Sequence, residues 1–313
     1  SAAFEQDLMN LLYLVEESVL LSETFIPFVN GLVDARLGAS YAEYDAIPMA
    51  TFDEFRESVS QVFDIIDKAN ELGILSMNIK YKDTRGFAEL LLLVEESPFT
   101  AGQETELVKI LLRVTDIIDP ETIDFSHVVW VDEYQYMYAF LAKANAPLNM
   151  DGVNISSDIN ASLADPDFVR PMTDALKELA NSHVLVAMYE ELLQKVVADK
   201  YPSITNYLNY DHLDSLSYDE YAIAIQNEFV VVLDAIALAS EIGLVGEEKD
   251  SINVEQLLAL YDTIFALEGT RNTKPEIFNK LVDFLPEIGG SQIIVPDGID
   301  WNDASVDIVE MLC

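Results

Sequence analysis

The chain has 313 residues, half of them hydrophobic, and carries 56 Asp and Glu against 17 Lys and Arg for a net charge of −39. That apolar content supports a sizeable core and excludes a wholly disordered chain. A surface this negative repels phosphate backbones and anionic headgroups, which argues against nucleic-acid partners and against membrane binding, and the single cysteine, Cys313, rules out an internal disulfide or a cysteine-built zinc site.

The chain opens Ser-Ala-Ala, with no initiator Met and no basic n-region, so no signal peptide is read in it. The first predicted helix carries Leu8, Leu11, Leu12, Val15 and Val19 at i, i+3, i+4, i+7 and i+11, one face of a 3.6-residue helix. After Pro48, a second helix type is expected to start at Asp53-Glu54-Phe55, with Thr51 or Asp53 as its cap and the acids favoured by the helix dipole. The first motif then returns: Leu11-Leu12-Tyr13-Leu14-Val15-Glu16-Glu17-Ser18 matches Leu90-Leu91-Leu92-Leu93-Val94-Glu95-Glu96-Ser97 with one difference, 79 positions on. The same offset carries Val29, Leu32 and Val33 onto Val108, Leu111 and Leu112, and Asp53-Glu54-Phe55 onto Asp132-Glu133-Tyr134. Fixed-period self-similarity of this kind is the signature of a repeat architecture.

Weaker copies follow. Leu91, Val94 and Ser97 map onto Leu176, Leu179 and Ser182, and then onto Ile264, Leu267 and Thr270. Between them Leu185, Tyr189, Leu192, Leu193, Val196 and Val197 share a helical face, and Asn227-Glu228-Phe229 reads as another start of the second helix type, with Asn227 as a cap. Turn residues collect at Asp119-Pro120, Asp165-Pro166, Pro202, Pro275 and from Gly289-Gly290 to Pro296-Asp297-Gly298. Short extended pieces at Val128–Val131 and Ile293–Val295 have no convincing partner strand.

The expected fold is therefore all-α: a tandem array of about four three-helix repeats of 80–95 residues each, solenoid-like or a chain of small bundles. The predicted organisation is a partial first repeat over 1–51 (two helices and a connection), a second repeat over 52–130, a third over 131–226 and a fourth over 227–298, with 299–313 starting a further, truncated one. Both ends fall inside the repeat, so the sequence is expected to belong to a longer array, a permuted complete unit being the alternative. No run reaches the roughly 20 apolar residues of a bilayer span. The best one, Phe229–Ala239, is interrupted at Asp234, and no membrane insertion is expected.

Chemistry-bearing patterns are few. His127, His183 and His212 are dispersed, and no His-Glu-x-x-His, Gly-x-Ser-x-Gly, Walker loop, dinucleotide-binding glycine pattern or Glu-x-x-His pair occurs. Adjacent acids at Glu16-Glu17, Glu95-Glu96, Glu190-Glu191 and Glu247-Glu248 point about 100° apart on a helix and do not converge as an acid–base pair would. The one loop with calcium-like character, Asn149–Asn154 followed by Asp158, Asp165 and Asp167, misplaces its glycine for an EF-hand. It reads as a polar connection, and a weakly bound calcium ion is the sole cofactor the sequence raises. Asn154-Ile155-Ser156 and Asn160-Ala161-Ser162 match the glycosylation pattern, one that arises often by accident.

Aromatic residues concentrate at Trp130, Tyr134, Tyr136, Tyr138 and Phe140, and again at Tyr207, Tyr210, Tyr218 and Tyr221. The first group either packs between repeats or forms an interaction patch for a protein partner. Repetition, acidity and the lack of a catalytic constellation point to a non-enzymatic helical-repeat protein, a cell-surface spacer, adhesin or assembly subunit that self-associates or meets a protein partner. The alternative is a cytoplasmic helical-repeat module that recognises a basic peptide or protein.

Overall fold

A computed structural model describes residues 2–18, 52–76, 78–98, 100, 102, 104–115, 118–153, 162, 164–200, 206–244 and 254–284. Helices account for most of these residues, and no strand occurs among them. The chain divides into two compact units, Ser1–Leu107 and Val108–Cys313.

The first unit contains α1 (Ala2–Glu16), α2 (Phe52–Glu71) and α3 (Thr84–Glu96). Helix α2 packs on both α1 and α3. Its end is set by Gly73, whose φ of 76° lies in the left-handed region. The N–H of Ile74 reaches back to the Ala69 carbonyl and that of Gly73 to the Asn70 carbonyl, both at 3.0 Å, which is the Schellman closure. Asp83 then caps α3 by accepting the Gly86 N–H at 2.9 Å. Gly86 has to lack a side chain, because its Cβ would lie 2.8 Å from the buried Leu72. Lys68 of α2 joins the pair by bonding Glu89 of α3 at 2.9 Å. On α1, Leu12 of the predicted stripe is buried, whereas Leu11 of the same stripe is exposed, as are Tyr13 and Leu14 outside it. The Tyr13 ring lies 4.2 Å beneath the Arg56 guanidinium.

Helix α4 (Glu104–Thr115) straddles the boundary between units. The second unit continues with α5 (Trp130–Leu148), α6 (Pro166–Leu176), α7 (His183–Lys200), α8 (Tyr218–Glu241), α9 (Val254–Phe265) and α10 (Lys274–Phe284). Of Val128–Val131, read as an extended piece, Val129 is extended, but Trp130 and Val131 already belong to α5. Helices α5 and α6 form one packed pair, α8 and α9 another, and α8 also lies on α6 and α7.

Helix α8 departs from the expected register. It begins at Tyr218 behind a capping box in which the Ser217 hydroxyl accepts the Glu220 N–H and the Glu220 carboxylate accepts the Ser217 N–H. Ser-x-x-Glu followed by an apolar run is a stronger start signal than Asn227, which lies exposed inside the helix. Its end repeats the closure of α2: Leu244 N–H bonds the Ala239 carbonyl at 2.9 Å, Gly243 N–H bonds the Ser240 carbonyl at 3.0 Å, and Gly243 has φ 75°. The sequences match accordingly, Ala-Asn-Glu-Leu-Gly-Ile at 69–74 and Ala-Ser-Glu-Ile-Gly-Leu at 239–244.

Helix α8 contributes to three apolar clusters. Ala222 and Ile225 pack with Val186, Tyr189 and Tyr210; Ala237 packs with Ala144, Phe168 and Val169; Leu238 and Ala239 lie against Leu257, Leu260 and Phe278. A helix with apolar neighbours on several sides is apolar nearly all round. Among the described residues, α8 is accordingly the one helix whose length and composition would suffice to cross a membrane, although its run was expected to stop at Asp234. Within this unit Asp234 bonds Lys177 at 2.7 Å and lies 3.5 Å from Arg170, while Glu241 takes the Arg170 guanidinium at 2.6 Å. A fourth cluster, Leu112, Ile118, Ile123 and Phe125, packs on the other side of α7 against Val184, Met188 and Leu192.

Candidate functional site

Two glutamates of the second unit are almost wholly buried, Glu133 at 2 % and Glu228 at 1 % exposure. A buried carboxylate is costly unless its oxygens are fully hydrogen-bonded. Glu133 takes the first backbone N–H of α7, and Glu228 takes two N–H groups from the turn ahead of α10.

Glu133 lies in the first turn of α5, where its position alone would serve the helix dipole. Its side chain instead turns inward. One oxygen accepts the His183 N–H at 2.7 Å and the other the Ser182 hydroxyl at 2.5 Å, while Ser182 Oγ accepts the Leu185 N–H at 3.0 Å. Glu133 and Ser182 together satisfy the open amides at the start of α7. His183 Nδ1 lies 2.9 Å from the Tyr218 hydroxyl, and His127 stacks on the Tyr218 ring at 3.6 Å. Two of the three histidines, far apart in sequence, therefore converge on one tyrosine. Burial, followed by the charges of Asp124, Glu133 and Asp219, pushes the Tyr218 hydroxyl above its ordinary range and keeps it neutral.

Ser, His and Glu meet here, yet their hydrogen bonds do not form a nucleophilic triad. The Ser182 proton is held by Glu133, the imidazole faces Tyr218, and Ser182 is buried. A serine nucleophile needs an imidazole on its own hydroxyl and a path to substrate. This cluster has neither.

Glu228 lies deeper in α8. Its Oε2 accepts the Glu268 N–H at 2.6 Å, and its Oε1 accepts the Gly269 N–H at 3.2 Å and the Tyr210 hydroxyl at 2.9 Å. Burial pushes this carboxyl up, and the three donors pull it part of the way back. The Tyr210 hydroxyl is driven upward in turn, chiefly by burial and then by the Glu228 charge. Gly269 makes the node possible: a Cβ there would lie 2.6 Å from the Tyr210 oxygen and 2.7 Å from its Cζ. Tyr210 also meets Tyr189 edge-on, with centroids 6.4 Å apart.

Beside this node is a cavity of about 320 Å³ among α7, α8, α9 and α10. Its walls include Leu193, Tyr207, Val232, Tyr261, Ile264 and Ile277, and Lys280 is a further lining residue.

The predicted interaction patch lies entirely on α5. Tyr134 is buried at 7 % exposure, and Phe140 packs against the Ala144–Phe168 cluster, so both serve the interior. Trp130, Tyr136 and Tyr138 are half-buried. Of the calcium-like loop, Asn149 donates to the Asn145 carbonyl at 2.9 Å and Asp165 accepts the Asp167 N–H at 3.0 Å as the cap of α6. Asn154, Asp158, Cys313 and Glu247-Glu248 lie outside the described residues. Among the described residues, no group of three or more His, Cys, Asp or Glu side chains is placed to hold a metal ion. Of the adjacent acids, Glu191 accepts the Thr122 hydroxyl at 2.7 Å, and Glu190 is pushed up by burial and by Asp214, Asp211 and Glu191. His212 bonds Glu268 at 3.0 Å.

Sequence reasoning placed Glu133 and Glu228 as first-turn acids at starts of the same helix type; Glu133 is in a first turn but buried, and Glu228 lies buried well inside α8. The signal the two share is the local Asp/Asn-Glu-aromatic pattern; Ser182 bonds Glu133, whereas the Thr270 hydroxyl goes to the Ile264 carbonyl and not to Glu228. No family model, curated protein or solved structure matches the chain.

Proposed function

We propose that the chain is a non-enzymatic, acidic helical-repeat protein that acts as a cell-surface spacer, adhesin or assembly subunit, built from tandem three-helix repeats. One observation carries this reading. Glu133 of α5 reaches the first backbone N–H of α7, two helices on, and Glu228 of α8 reaches the N–H groups of Glu268 and Gly269 ahead of α10, again two helices on, as equivalent joints of successive repeats would. A costly buried carboxylate used twice for the same internal joint is what a duplicated architectural unit retains. The matched helix closures at 69–74 and 239–244 support the same relation between the first-helix positions of α2 and α8.

The non-enzymatic part draws support from the chemistry of the buried polar groups. Ser182, Glu133 and Glu228 have their protons and lone pairs engaged with one another and with backbone amides. The net charge of −39 favours solubility and self-repulsion between copies and attracts cations or basic surfaces.

Protease shaving of intact source cells, with mass spectrometry of the released peptides, tests the surface reading. Peptides from exposed stretches such as residues 78–83 are expected in the shaved fraction. Their confinement to the lysate would overturn it and favour the second reading, a cytoplasmic module for a basic partner. The observation behind that second reading is the half-buried Trp130, Tyr136 and Tyr138 on α5 of an acidic protein.

A further inference from the structure

The cavity beside Glu228 has an unusual division of polarity. Its walls are aliphatic and aromatic: Leu193 from α7, Val232 from α8, Tyr261 and Ile264 from α9, and Ile277 from α10. Two of its polar lining groups are already engaged. The Tyr210 hydroxyl donates to Glu228, and the Thr270 hydroxyl donates to the Ile264 carbonyl at 2.8 Å. The interior therefore offers no unsatisfied hydrogen-bond partner at these two positions, and a polar body inside it would leave its own groups unpaired. The cationic lining group is Lys280, which is exposed, so the cavity reaches the surface at that residue. Lys280 makes no ion pair among the described residues, although the chain carries 56 acids for 17 bases.

We propose that this cavity binds a medium-chain fatty acid, with the alkyl chain among Val232, Tyr261, Ile264 and Ile277 and the carboxylate at Lys280. A volume of about 320 Å³ lies at the lower end of the range for small-molecule sites, which excludes large or branched lipids. One ammonium at the mouth matches one carboxylate. A phosphate dianion would need several converging donors and would meet the chain's negative field with twice the charge of a carboxylate. The carboxylate gains its partner without leaving water, since Lys280 is exposed, while the chain supplies the affinity through apolar burial.

Isothermal titration of the full chain with decanoate and dodecanoate, below their micellar concentrations, tests this. One-to-one saturable binding is expected, strengthening by roughly fourfold per added methylene until the cavity is filled. Lys280→Glu changes an exposed residue and leaves the fold intact. It is expected to weaken decanoate about three- to tenfold while leaving decanol unaffected. Ile264→Trp, which fills the cavity, is expected to abolish both. Because that variant could perturb packing, a diazirine-bearing fatty acid is used in parallel on the unaltered protein. Its label should map to peptides containing Tyr207–Tyr210 and Tyr261–Ile277. No saturable binding, equal loss of acid and alcohol in Lys280→Glu, or labelling at the exposed Leu11 and Leu14 of α1 instead would each overturn the proposal.

Discussion

Replacing Glu228 by alanine removes the acceptor for three donors at once: the amides of Glu268 and Gly269 and the hydroxyl of Tyr210. Each buried donor left without a partner costs about 1–3 kcal/mol. Tyr210 can turn toward other partners and the new space can admit water, so the three do not add fully, and a loss of about 3–5 kcal/mol is expected. That is a large share of the 5–15 kcal/mol typical of a folded domain. Glu228→Gln keeps one acceptor oxygen but turns an amide N–H toward a backbone N–H, for a loss of about 1.5–3 kcal/mol. Urea unfolding followed by far-UV circular dichroism reads both values from the shift in midpoint. The pH dependence gives an independent check. Burial raises the Glu228 carboxyl above its unfolded value of 4.5. A carboxyl raised on folding stabilises the fold fully below the unfolded value, and that contribution is lost as pH rises through the folded value. Glutamine does not titrate, so the advantage of the native protein over Glu228→Gln should grow as pH falls from neutrality toward 4.5. A Glu228→Ala loss under about 1 kcal/mol would refute the reasoning, because it requires a solvated carboxylate, and so would an advantage that shrinks on acidification, because it requires a carboxyl lowered rather than raised on folding.

Gly269→Ala pushes a Cβ to 2.6 Å from the Tyr210 oxygen, and overpacking of this kind is expected to cost about 1–3 kcal/mol in the same unfolding assay. Gly73→Ala, at φ 76° and with the Asn78 carbonyl oxygen 1.9 Å from the new Cβ, should lower the thermal midpoint through at least the roughly 1–2 kcal/mol left-handed penalty. On α5, Tyr134→Ala is expected to destabilise by about 3–5 kcal/mol because the ring is buried, whereas Tyr136→Ala at its half-buried position should cost about 1 kcal/mol or less. Asp234→Asn weakens the contacts to Lys177 and Arg170. Both are partly exposed, so the loss should be about 0.2–1 kcal/mol per pair and should fade as salt is raised, which a salt series of melting curves would show.

The sequence by itself determined that this protein is helical, and it determined much of the register. Leu8–Val15, Leu185–Leu193 and the prolines at 120 and 166 set period and punctuation, properties that belong to neighbouring residues. It also marked Glu133 and Glu228 by one local pattern, Asp or Asn, then Glu, then an aromatic residue. What a carboxylate does once it is there was not legible. An acid in a first turn satisfies the same dipole whether it faces water or the interior, so only the packing around α5 decided that Glu133 turns inward, and Glu228 lies well inside α8 rather than in its first turn. The aromatic group on α5 shows the same division, since a spacing that spreads rings around a helix cannot say which side its neighbours will cover. His127, His183 and Tyr218 met, and the cavity at Ile264 opened, for one physical reason: contacts between residues distant in the chain are set by how helices stack, and that stacking leaves no periodic mark in the sequence.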